Sequence, residues 1–328
     1  MSLTAFVSGA SGFVGSHLVR ELHEQGWQVH ALARPTSSLK PIEGIPCDVH
    51  LGDLTDSSSL SAALPEGLDA VFHVAANTSF WSRKNAAQDQ VNIVGTRNMI
   101  ETAATAGARR FIHTSSFATW GFRNTELNEQ SERSDGTDWI NYVRSKHIAE
   151  EVVLSTVRDK GTDAVVLNPA HILGPGDQHN WSRMIRMVDH GNIFAAPPGS
   201  GNFSDVREIA KAHIEGFHRG RQGEKYLLGG EYASFAELIR VAGDVMGKKV
   251  PGRPAPGWIM KAWARVNTAL SAVTGRHPNI TPESAAMIVC NLTCDSSKAQ
   301  QELNYRFTPI RTLIEDTVEW MNQEGLLP

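Results

Sequence analysis

The chain has 328 residues, which is the size of two domains or of one large domain with an appended lobe. Apolar residues make up 41% of it and charged residues 20%, a composition that excludes an intrinsically disordered chain. The net charge of −4 leaves no basic excess to neutralise a phosphate backbone, so we expect no nucleic-acid partner.

Short apolar runs alternate with longer helical patterns along the first half of the chain. Strands are predicted at 3–8, 28–33, 49–51, 70–74, 110–114 and 164–167, and helices at 11–25, 57–64, 88–106 and 140–158. Nearly continuous apolar strands separated by helices indicate a parallel sheet that is covered on both faces. The predicted fold class is therefore α/β, with a doubly wound parallel sheet.

The second half is less regular, with Gly- and Pro-rich segments between shorter helices, which indicates a smaller C-terminal lobe. Apolar residues of 258–273 recur at intervals of three and four, so we predict a helix with one apolar face. Packing of that face on the protein's own core, or over a pocket, is favoured over attachment to a membrane surface. The three cysteines lack paired spacing and no signal peptide is predicted, so we expect reduced thiols and a cytoplasmic location.

A glycine-rich loop follows the first predicted strand and opens the first predicted helix. Without Cβ atoms, the backbone allows close approach of a pyrophosphate, and the helix N-terminus supplies free N–H groups to hold it. The pattern therefore predicts a dinucleotide site. Its expected cofactor contacts in this loop are Gly9, Ser11, Gly12, Phe13, Val14 and Gly15.

The end of the second predicted strand indicates which dinucleotide is bound. About 20 residues beyond the glycines, an acidic residue is typical of NAD sites, and an arginine often marks NADP sites. Arg34 stands there, and Ser37, Ser38 and Lys40 add donors suited to a 2′-phosphate. We therefore predict NADP(H), with NAD(H) as the alternative. Asp53, after the third strand, is expected either to accept a hydrogen bond from the adenine amino group or to cap a helix.

Tyr142 and Lys146 lie four residues apart on a predicted helix, so their side chains share one face. An ammonium ~4 Å from the phenol, at an effective dielectric of ~20, would lower the pKa of the tyrosine from ~10 toward neutrality. Such a phenol can protonate a carbonyl oxygen as hydride arrives, or deprotonate an alcohol as hydride leaves. The pair therefore predicts hydride-transfer chemistry on a carbonyl or alcohol group.

Taken together, these motifs resemble the extended short-chain dehydrogenases/reductases over nearly the whole chain. The glycine loop is similar to the family's GxxGxxG motif, the Tyr142–Lys146 pair to its YxxxK motif, and the run at 113–121 to its strand ending in SSxxxYG. The resemblance implies a Rossmann-type NAD(P)-binding domain at 1–168 and a substrate-binding lobe at 169–328. Segments near 203–220 and 288–300 are expected to return to the first domain.

The resemblance also implies roles for individual residues. Tyr142 would transfer the proton, and Lys146 would bind the nicotinamide ribose. Ser116 would orient the substrate oxygen, and Asn92 would support the site. Further cofactor contacts are expected at Leu54, Ala75, Ala76, Thr114, Pro169 and His171. Substrate contacts are expected at Thr78, Phe80, Phe117, Trp120 and Trp181, a set that suits a hydrophobic or ring-bearing carbonyl compound.

Two positions favour carbonyl reduction over nucleotide-sugar chemistry within this family. Nucleotide-sugar members typically carry an acidic residue where this chain has Arg34, and often an arginine where it has Gly201. The chain is closer to the dihydroflavonol reductase-like and 3β-hydroxysteroid dehydrogenase-like branch. The alternatives are an NAD-dependent nucleotide-sugar epimerase or dehydratase and a non-catalytic NADP-sensing regulator. We expect a small-molecule carbonyl or alcohol substrate, no metal, no membrane partner, and a homodimer formed through the helices near 88–106 and 140–158.

Overall fold

Two β-sheets and the helices around them make up the part of the chain that the structure, a computed structural model, describes, residues 2–133 and 136–327. In chain order the strands are β1 (Thr4–Ser8), β2 (Gln28–Ala33), β3 (Asp48–Leu51), β4 (Ala70–His73), β5 (Arg110–Thr114), β6 (Glu126–Leu127), β7 (Ala164–Pro169), β8 (His171–Leu173), β9 (Ser200–Asp205), β10 (Lys225–Leu228), β11 (Glu231–Ser234) and β12 (Asn291–Cys294).

The helices alternate with the strands in the first half of the chain and continue through the second half. They are α1 (Phe13–Glu24), α2 (Ser57–Ala63), α3 (Asn85–Asp89), α4 (Gly95–Thr105), α5 (Asn141–Lys160), α6 (Trp181–Asp189), α7 (Val206–His218), α8 (Phe235–Met246), α9 (Gly257–Thr274), α10 (Pro282–Ile288), α11 (Ser297–Glu302) and α12 (Ile310–Gln323). A π-helical turn, Gln90–Val94, joins α3 to α4.

The large sheet is parallel throughout, with the strand order β10-β7-β5-β4-β1-β2-β3. Side chains of successive strand residues alternate between its two faces, so each face has its own apolar core. On one face Val7 and Phe72 pack with residues of α1 and α7, such as Leu18. On the other face Phe6 and Val71 pack with residues of α2, α4 and α5. This arrangement confirms the predicted doubly wound fold.

The strand order reverses between β1 and β4, and this is the place where such sheets bind ligands. The chain runs from β1 outward through β2 to β3, then returns to β4 on the other side of β1. The loops after β1 and β4 therefore lie side by side at the carboxyl edge. The predicted glycine loop occupies the first of these two loops.

A second sheet forms the centre of the C-terminal lobe, in the order β11-β9-β12-β6, with β8 paired to β9. Its apolar core is shared with α6, α8 and α12 and includes Phe203, Phe235 and Ile314. The chain does not pass from the large sheet to the C-terminal lobe only once. After β9 it returns to the large sheet, where α7 packs on α1 and β10 pairs with β7. The boundary at residue 168 and the return of 203–220 and 288–300 remain predictions.

Helix α9 forms where the sequence predicted a helix, but its orientation differs from the expectation. Its apolar side chains face solvent, with Trp258 72% and Val273 89% exposed, whereas Ala264 and Ser271 are buried. The expectation that the apolar face packs on the protein's own core is therefore wrong. The physical reason is that the small and polar residues of α9 form its inward contact.

The glycine loop is tightly packed at the place where the strand order reverses, and this packing can be tested by adding a methyl group to Gly15. We expect Gly15→Ala to lower the free energy of unfolding by about 1–3 kcal/mol, because the added Cβ would collide with the carbonyl oxygen of Gly9. Gly252→Ala is the control, since a Cβ there meets no atom within 4 Å. Urea unfolding followed by tryptophan fluorescence measures both. Equal midpoints for the two variants would contradict the tight packing of this loop.

Candidate active site

The glycine loop after β1 is built against the loop after β4. Gly9 has a φ of +73°, and a Cβ at this residue would lie 2.8 Å from the Cα of Ala75. Gly12 precedes α1 as its N-cap, and no described side chain caps the N–H groups of the first turn. Bare backbone and free N–H groups form a cradle that a larger side chain would fill, so these residues fit the pyrophosphate of a dinucleotide.

The other cofactor residues predicted near this loop differ in their burial. Ser11, Phe13 and Ala76 are half-buried at the carboxyl edge of the sheet. Val14 packs against the core below the loop, and Leu54 is buried in the core on the opposite face of the sheet. These positions are compatible with the predicted contacts, which remain predictions.

The cations predicted to select NADP differ in their surroundings. Arg34 is exposed at the end of β2, and its guanidinium makes no hydrogen bond or ion pair with any residue of 2–133 or 136–327. Lys40 instead pairs with Glu324, with 2.9 Å between Nζ and Oε2. Arg34 is therefore the available cation. Lys40 already has one surface carboxylate as a partner, and its contact with the cofactor remains a prediction.

Asp53 does not cap a helix. Its Oδ1 accepts hydrogen bonds from the backbone N–H and the hydroxyl of Thr55, at 2.8 and 2.7 Å. These bonds are the main cause that holds the pKa of Asp53 below its usual value, with a smaller contribution from Arg34. Asp56 is the N-cap of α2, so the helix-cap alternative for Asp53 is wrong. A contact with adenine remains a prediction.

Tyr142 lies in the first turn of α5 and points at Ser116. The phenol interacts with the side chain of Ser116, and the ring of Tyr142 lies 5.1 Å from the ring of Phe80, measured between centroids. The Oγ of Ser116 also accepts the backbone N–H of Ala118 at 3.2 Å, which fixes its orientation. The predicted proton carrier and the predicted orienting hydroxyl therefore meet beside an aromatic ring.

Lys146 is buried one turn further along α5. Its Nζ donates a hydrogen bond to the carbonyl oxygen of Thr114 at 2.7 Å. Burial lowers the pKa of Lys146 to about 8, against an opposing effect of Glu150. The hydroxyl of Thr114 is held in turn by His213, with 2.6 Å between Oγ1 and Nε2. Pro169 is buried at the end of the neighbouring strand β7.

The protonation of Tyr142 differs from the expectation. Burial raises the pKa of its phenol above the ordinary value of ~10, and the interaction with the side chain of Ser116 opposes this only in part. The expected lowering toward neutrality is wrong, because loss of hydration dominates and Lys146 directs its ammonium to the carbonyl of Thr114. Tyr142 therefore keeps its proton at neutral pH, which is the form that can protonate a carbonyl oxygen.

Asn92 lies in the π-helical turn between α3 and α4 and connects two parts of the site. Its Oδ1 accepts the backbone N–H of Asn77 at 2.8 Å, and its Nδ2 donates to the carbonyl of Asn77 at 3.0 Å. The same Nδ2 donates to the hydroxyl of Ser145 in α5 at 3.1 Å. Asn92 thereby holds the loop after β4 against α5, which makes it a positioning residue. π-Helical turns are frequent at functional sites.

Glu150 is a site residue that the sequence analysis did not single out. It is fully buried, and its Oε2 accepts hydrogen bonds from Ser115 at 2.6 Å and from Asn168 at 2.8 Å. Its Oε1 pairs with the guanidinium of Arg133 at 2.9 Å. Asn168 also donates to the carbonyl of Ser116 at 3.1 Å. Glu150 therefore holds two residues that flank Ser116: Ser115, which precedes it in the chain, and Asn168, which binds its carbonyl.

An aromatic cluster contains three of the predicted site residues, His171, Phe117 and Trp181. The imidazole of His171 lies 5.4 Å from the ring of Phe117 and 5.2 Å from that of Trp181, and Phe203 and Phe235 complete the cluster. Burial lowers the pKa of His171 to about 4, so the ring is neutral. Its Nε2 has no hydrogen-bond partner among the described residues.

Trp120 is a packing residue, which corrects the expectation that it contacts substrate. Its side chain is completely buried, and its indole N–H donates to the carbonyl of Ser131 at 3.1 Å. The guanidinium of Arg133 lies 5.2 Å from its ring centroid and the ammonium of Lys225 5.4 Å. A ring enclosed in this way has no surface left for a ligand. Thr78, by contrast, is exposed in the loop after β4.

Comparison with known proteins identifies the family. Residues 5–229 match the model of the NAD dependent epimerase/dehydratase family. The chain belongs to this family. It is 31% identical to the sterol demethylase protein B of Methylococcus capsulatus, over 99% of this chain and 100% of that protein. It is 28% identical to cinnamoyl-CoA reductase 1 of rice, Oryza sativa subsp. japonica, over 98% of this chain and 91% of that one.

Solved structures share the fold over the full length of the chain. The crystal structure of gox2253 is 32% identical, covers 100% of both chains and superposes with a TM-score of 0.85. The UDP-glucuronic acid 4-epimerase of Bacillus cereus, in complex with NAD, has a TM-score of 0.77 over 98% of this chain and 99% of that one. At 19% identity, the second comparison shows the fold alone.

The relatives confirm the predicted enzyme class. A provisionally named dihydroflavonol 4-reductase of Synechocystis sp. is 32% identical over 98% of this chain and 95% of that protein. A 3-beta-hydroxysteroid dehydrogenase of Mycolicibacterium neoaurum is 26% identical over 98% and 94%. The chain is an NAD(P)-dependent oxidoreductase of the extended short-chain dehydrogenase/reductase superfamily.

The ion pair of Glu150 and Arg133 can be tested against its exposed neighbour. We expect Glu150→Gln to lower the free energy of unfolding by about 1–3 kcal/mol, because it leaves the partly buried guanidinium of Arg133 without its buried partner. Glu151→Gln is the matched control: Glu151 also pairs with Arg133, at 3.0 Å, but is 43% exposed, so we expect a loss below about 1 kcal/mol. Urea denaturation measures both, and equal losses would refute a supporting role for Glu150.

Proposed function

We propose that the protein reduces a ketone or aldehyde group on a hydrophobic or ring-bearing small molecule with NADPH, or oxidises the matching alcohol with NADP⁺. The observation that carries this proposal is the placement of Tyr142 and Lys146 one turn apart on α5, against the end of β5: Lys146 donates to the carbonyl of Thr114 at 2.7 Å, and the phenol of Tyr142 interacts with the side chain of Ser116. When bound, the nicotinamide cofactor supplies or accepts the hydride. The glycine loop and the first turn of α1 would hold its pyrophosphate.

The three side chains divide the work on the substrate oxygen. Tyr142 is protonated at neutral pH and donates its proton to the carbonyl oxygen as the alcohol forms. Ser116 donates a hydrogen bond to the same oxygen and so holds the carbonyl in one orientation. Lys146 provides positive charge on the same helix face, which favours the phenolate that remains after the transfer. In the reverse direction, this phenolate accepts the alcohol proton.

Preference for NADP(H) rests on Arg34. Its guanidinium is exposed after β2 and has no ion-pair partner in residues 2–133 and 136–327. In dinucleotide sites of this kind, a residue at the end of this strand contacts the adenosine ribose. A 2′-phosphate would receive a charge-assisted hydrogen bond from it. With NAD(H) the same guanidinium would have no phosphate to pair with.

An apolar substrate is supported by the surroundings of the phenol. The ring of Tyr142 lies 5.1 Å from that of Phe80, and Phe122 and Ala286 are partly buried against the same apolar cluster as Tyr142. A reacting group placed at the phenol would have apolar walls on these sides, which suits a ring-bearing compound. The names of the relatives, among them cinnamoyl-CoA reductase and 3-beta-hydroxysteroid dehydrogenase, support the same class.

The position of Gly201 weighs against the nucleotide-sugar alternative. A Cβ at Gly201 would lie 2.6 Å from the Nε2 of His171, so the imidazole fills the space into which any larger side chain would extend. An arginine at this position would require the imidazole of His171 to move. The regulator alternative is disfavoured because the proton carrier Tyr142 and the cation Lys146 are both retained.

We also propose that the enzyme works as a cytoplasmic homodimer. Helices α4 and α5 pack side by side and would form the interface, as the resemblance implies. Cys47, Cys290 and Cys294 are all free thiols, which suits a reducing compartment.

The proton-transfer role is tested by Tyr142→Phe. We expect kcat to fall by about 10²–10⁴-fold, because the substrate oxygen loses its proton donor, with NADPH affinity unchanged. NADPH consumption is measured against aromatic, alicyclic and steroid-like ketones and aldehydes, beside a nucleotide-sugar control. Tyr232→Phe, at a half-exposed tyrosine of β11, should retain wild-type turnover. Unchanged turnover in Tyr142→Phe, or turnover of the nucleotide sugar alone, would overturn the proposal.

The cofactor preference is tested by Arg34→Ser. We expect the Kd for NADPH to rise at least about tenfold, which is ~1.4 kcal/mol, while the Kd for NADH stays the same. Lys40→Ala is the comparison, and it should raise the Kd for NADPH less than Arg34→Ser does, since its ammonium already has Glu324 as a partner. Fluorescence titration gives both constants. Equal or tighter binding of NADH by the wild-type protein would remove the assignment.

A further inference from the structure

Helix α9 has an inverted amphipathic arrangement. Its inward side carries small or polar residues such as Ala264, Asn267 and Ser271. At about 100° per residue, its exposed apolar side chains fill a continuous arc of roughly 140°. We call this arc the α9 face, and it consists of Trp258, Ile259, Trp263, Val266, Leu270 and Val273, each at least 41% exposed. A contiguous apolar surface of this kind is typical of an interaction site.

The charged residues of the segment that contains α9 are all basic, with Asp244 just before this segment and Glu283 just after it. Between Val245 and Pro282 the chain contains six basic residues and no aspartate or glutamate, although the net charge of the whole chain is −4. Lys248 pairs with Asp189 at 2.9 Å. The other five make no ion pair with the described residues, and these are Lys249, Arg253, Lys261, Arg265 and Arg276.

Two of these cations stand directly beside the apolar arc. Lys261 and Arg265 lie at its edge on the helix, and with Trp139 they line a cavity of about 310 Å³ between α9 and α10. A row of free cations next to exposed tryptophans is the pattern of a helix that lies in the plane of a membrane surface. Anionic headgroups would pair with the cations while the apolar arc enters the acyl boundary.

We infer that α9 docks the protein on an anionic lipid surface. A second copy of the chain is a less suitable occupant, because a two-fold contact through α9 would bring two uncompensated basic segments together. A lipid surface of negative charge complements both features of the helix at once. This inference departs from the expectation that the protein has no membrane partner. No helix within residues 2–133 and 136–327 is both long and apolar enough to cross a bilayer.

The docking surface adjoins the site at the carboxyl edge of the large sheet. The ring of Trp81 lies 4.9 Å from that of His277, just after α9, and Thr281 donates to the carbonyl of Phe80 at 2.8 Å. Phe80 in turn contacts Tyr142. A hydrophobic substrate could thus pass from lipid to the phenol over a short path. This last point rests on the proposed function, whereas the docking itself does not.

The test is binding of the full chain to lipid vesicles, without substrate or cofactor. We expect co-sedimentation with vesicles of phosphatidylcholine and phosphatidylglycerol, and little with phosphatidylcholine alone. About 1 M salt, where the Debye length is ~3 Å, should weaken the binding. The double variants Trp258→Ser/Trp263→Ser and Lys261→Glu/Arg265→Glu should each bind at least about tenfold more weakly. Their substituted side chains are exposed, so circular dichroism should be unchanged.

Two control variants outside α9 test whether vesicle binding depends on this helix. Leu51→Ser removes an apolar side chain that is 62% exposed on the edge strand β3, and Arg20→Glu reverses an exposed charge on α1; both should bind as the wild type does. Absence of wild-type binding to the anionic vesicles would overturn the inference. So would light scattering that shows a dimer dissociated by Trp258→Ser/Trp263→Ser, since a second copy would then cover α9. Neither result would affect the proposed reaction, which NADPH turnover tests separately.

Discussion

The active site is organised by the contact of α5 with the last residue of β5, Thr114, and the two residues that follow it, Ser115 and Ser116. Tyr142, Lys146 and Glu150 recur at every fourth residue of α5, so they lie on one face of the helix and each meets one of these three residues. Buried polar groups of this kind are tolerated because each finds a hydrogen-bond partner. The contact therefore sets the position of the phenol, the ammonium and the orienting hydroxyl together, and the rest of the site is arranged around it.

Local patterns in the sequence predicted the strands of the large sheet except β10, and they predicted no strand of the small sheet. Strands β1 to β5 and β7 are apolar runs between amphipathic helices, and their parallel pairing follows from that alternation. Strands β6, β8, β9, β11 and β12 are two to six residues long and lie far apart in the chain. Their pairing depends on partners that no local periodicity identifies, so this second sheet was not predicted.

The site shows the same limit at the level of single side chains. The meeting of Tyr142 with Ser116 was predictable from motif spacing, and continuing the interval of four beyond Lys146 would also have found Glu150. The direction in which the pKa of the phenol shifts was not predictable from the sequence, because burial is a property of the assembled fold. The same reason explains Trp120, whose ring is enclosed by packing, and α9, where periodicity reveals an apolar face but not whether it turns inward.

The π-helical turn between α3 and α4 makes the site sensitive to chain length as well as to composition. Such a turn holds one more residue than an α-helical turn, and Asn92 sits within it. Deleting one residue from Gln90–Val94 would restore regular winding and rotate the preceding segment by about 100° relative to α4. The amide would then leave the backbone of Asn77 even though no contacting residue had been exchanged. Insertions and deletions in this short stretch should consequently be rarer among working enzymes than substitutions on the outer surface of the same helix.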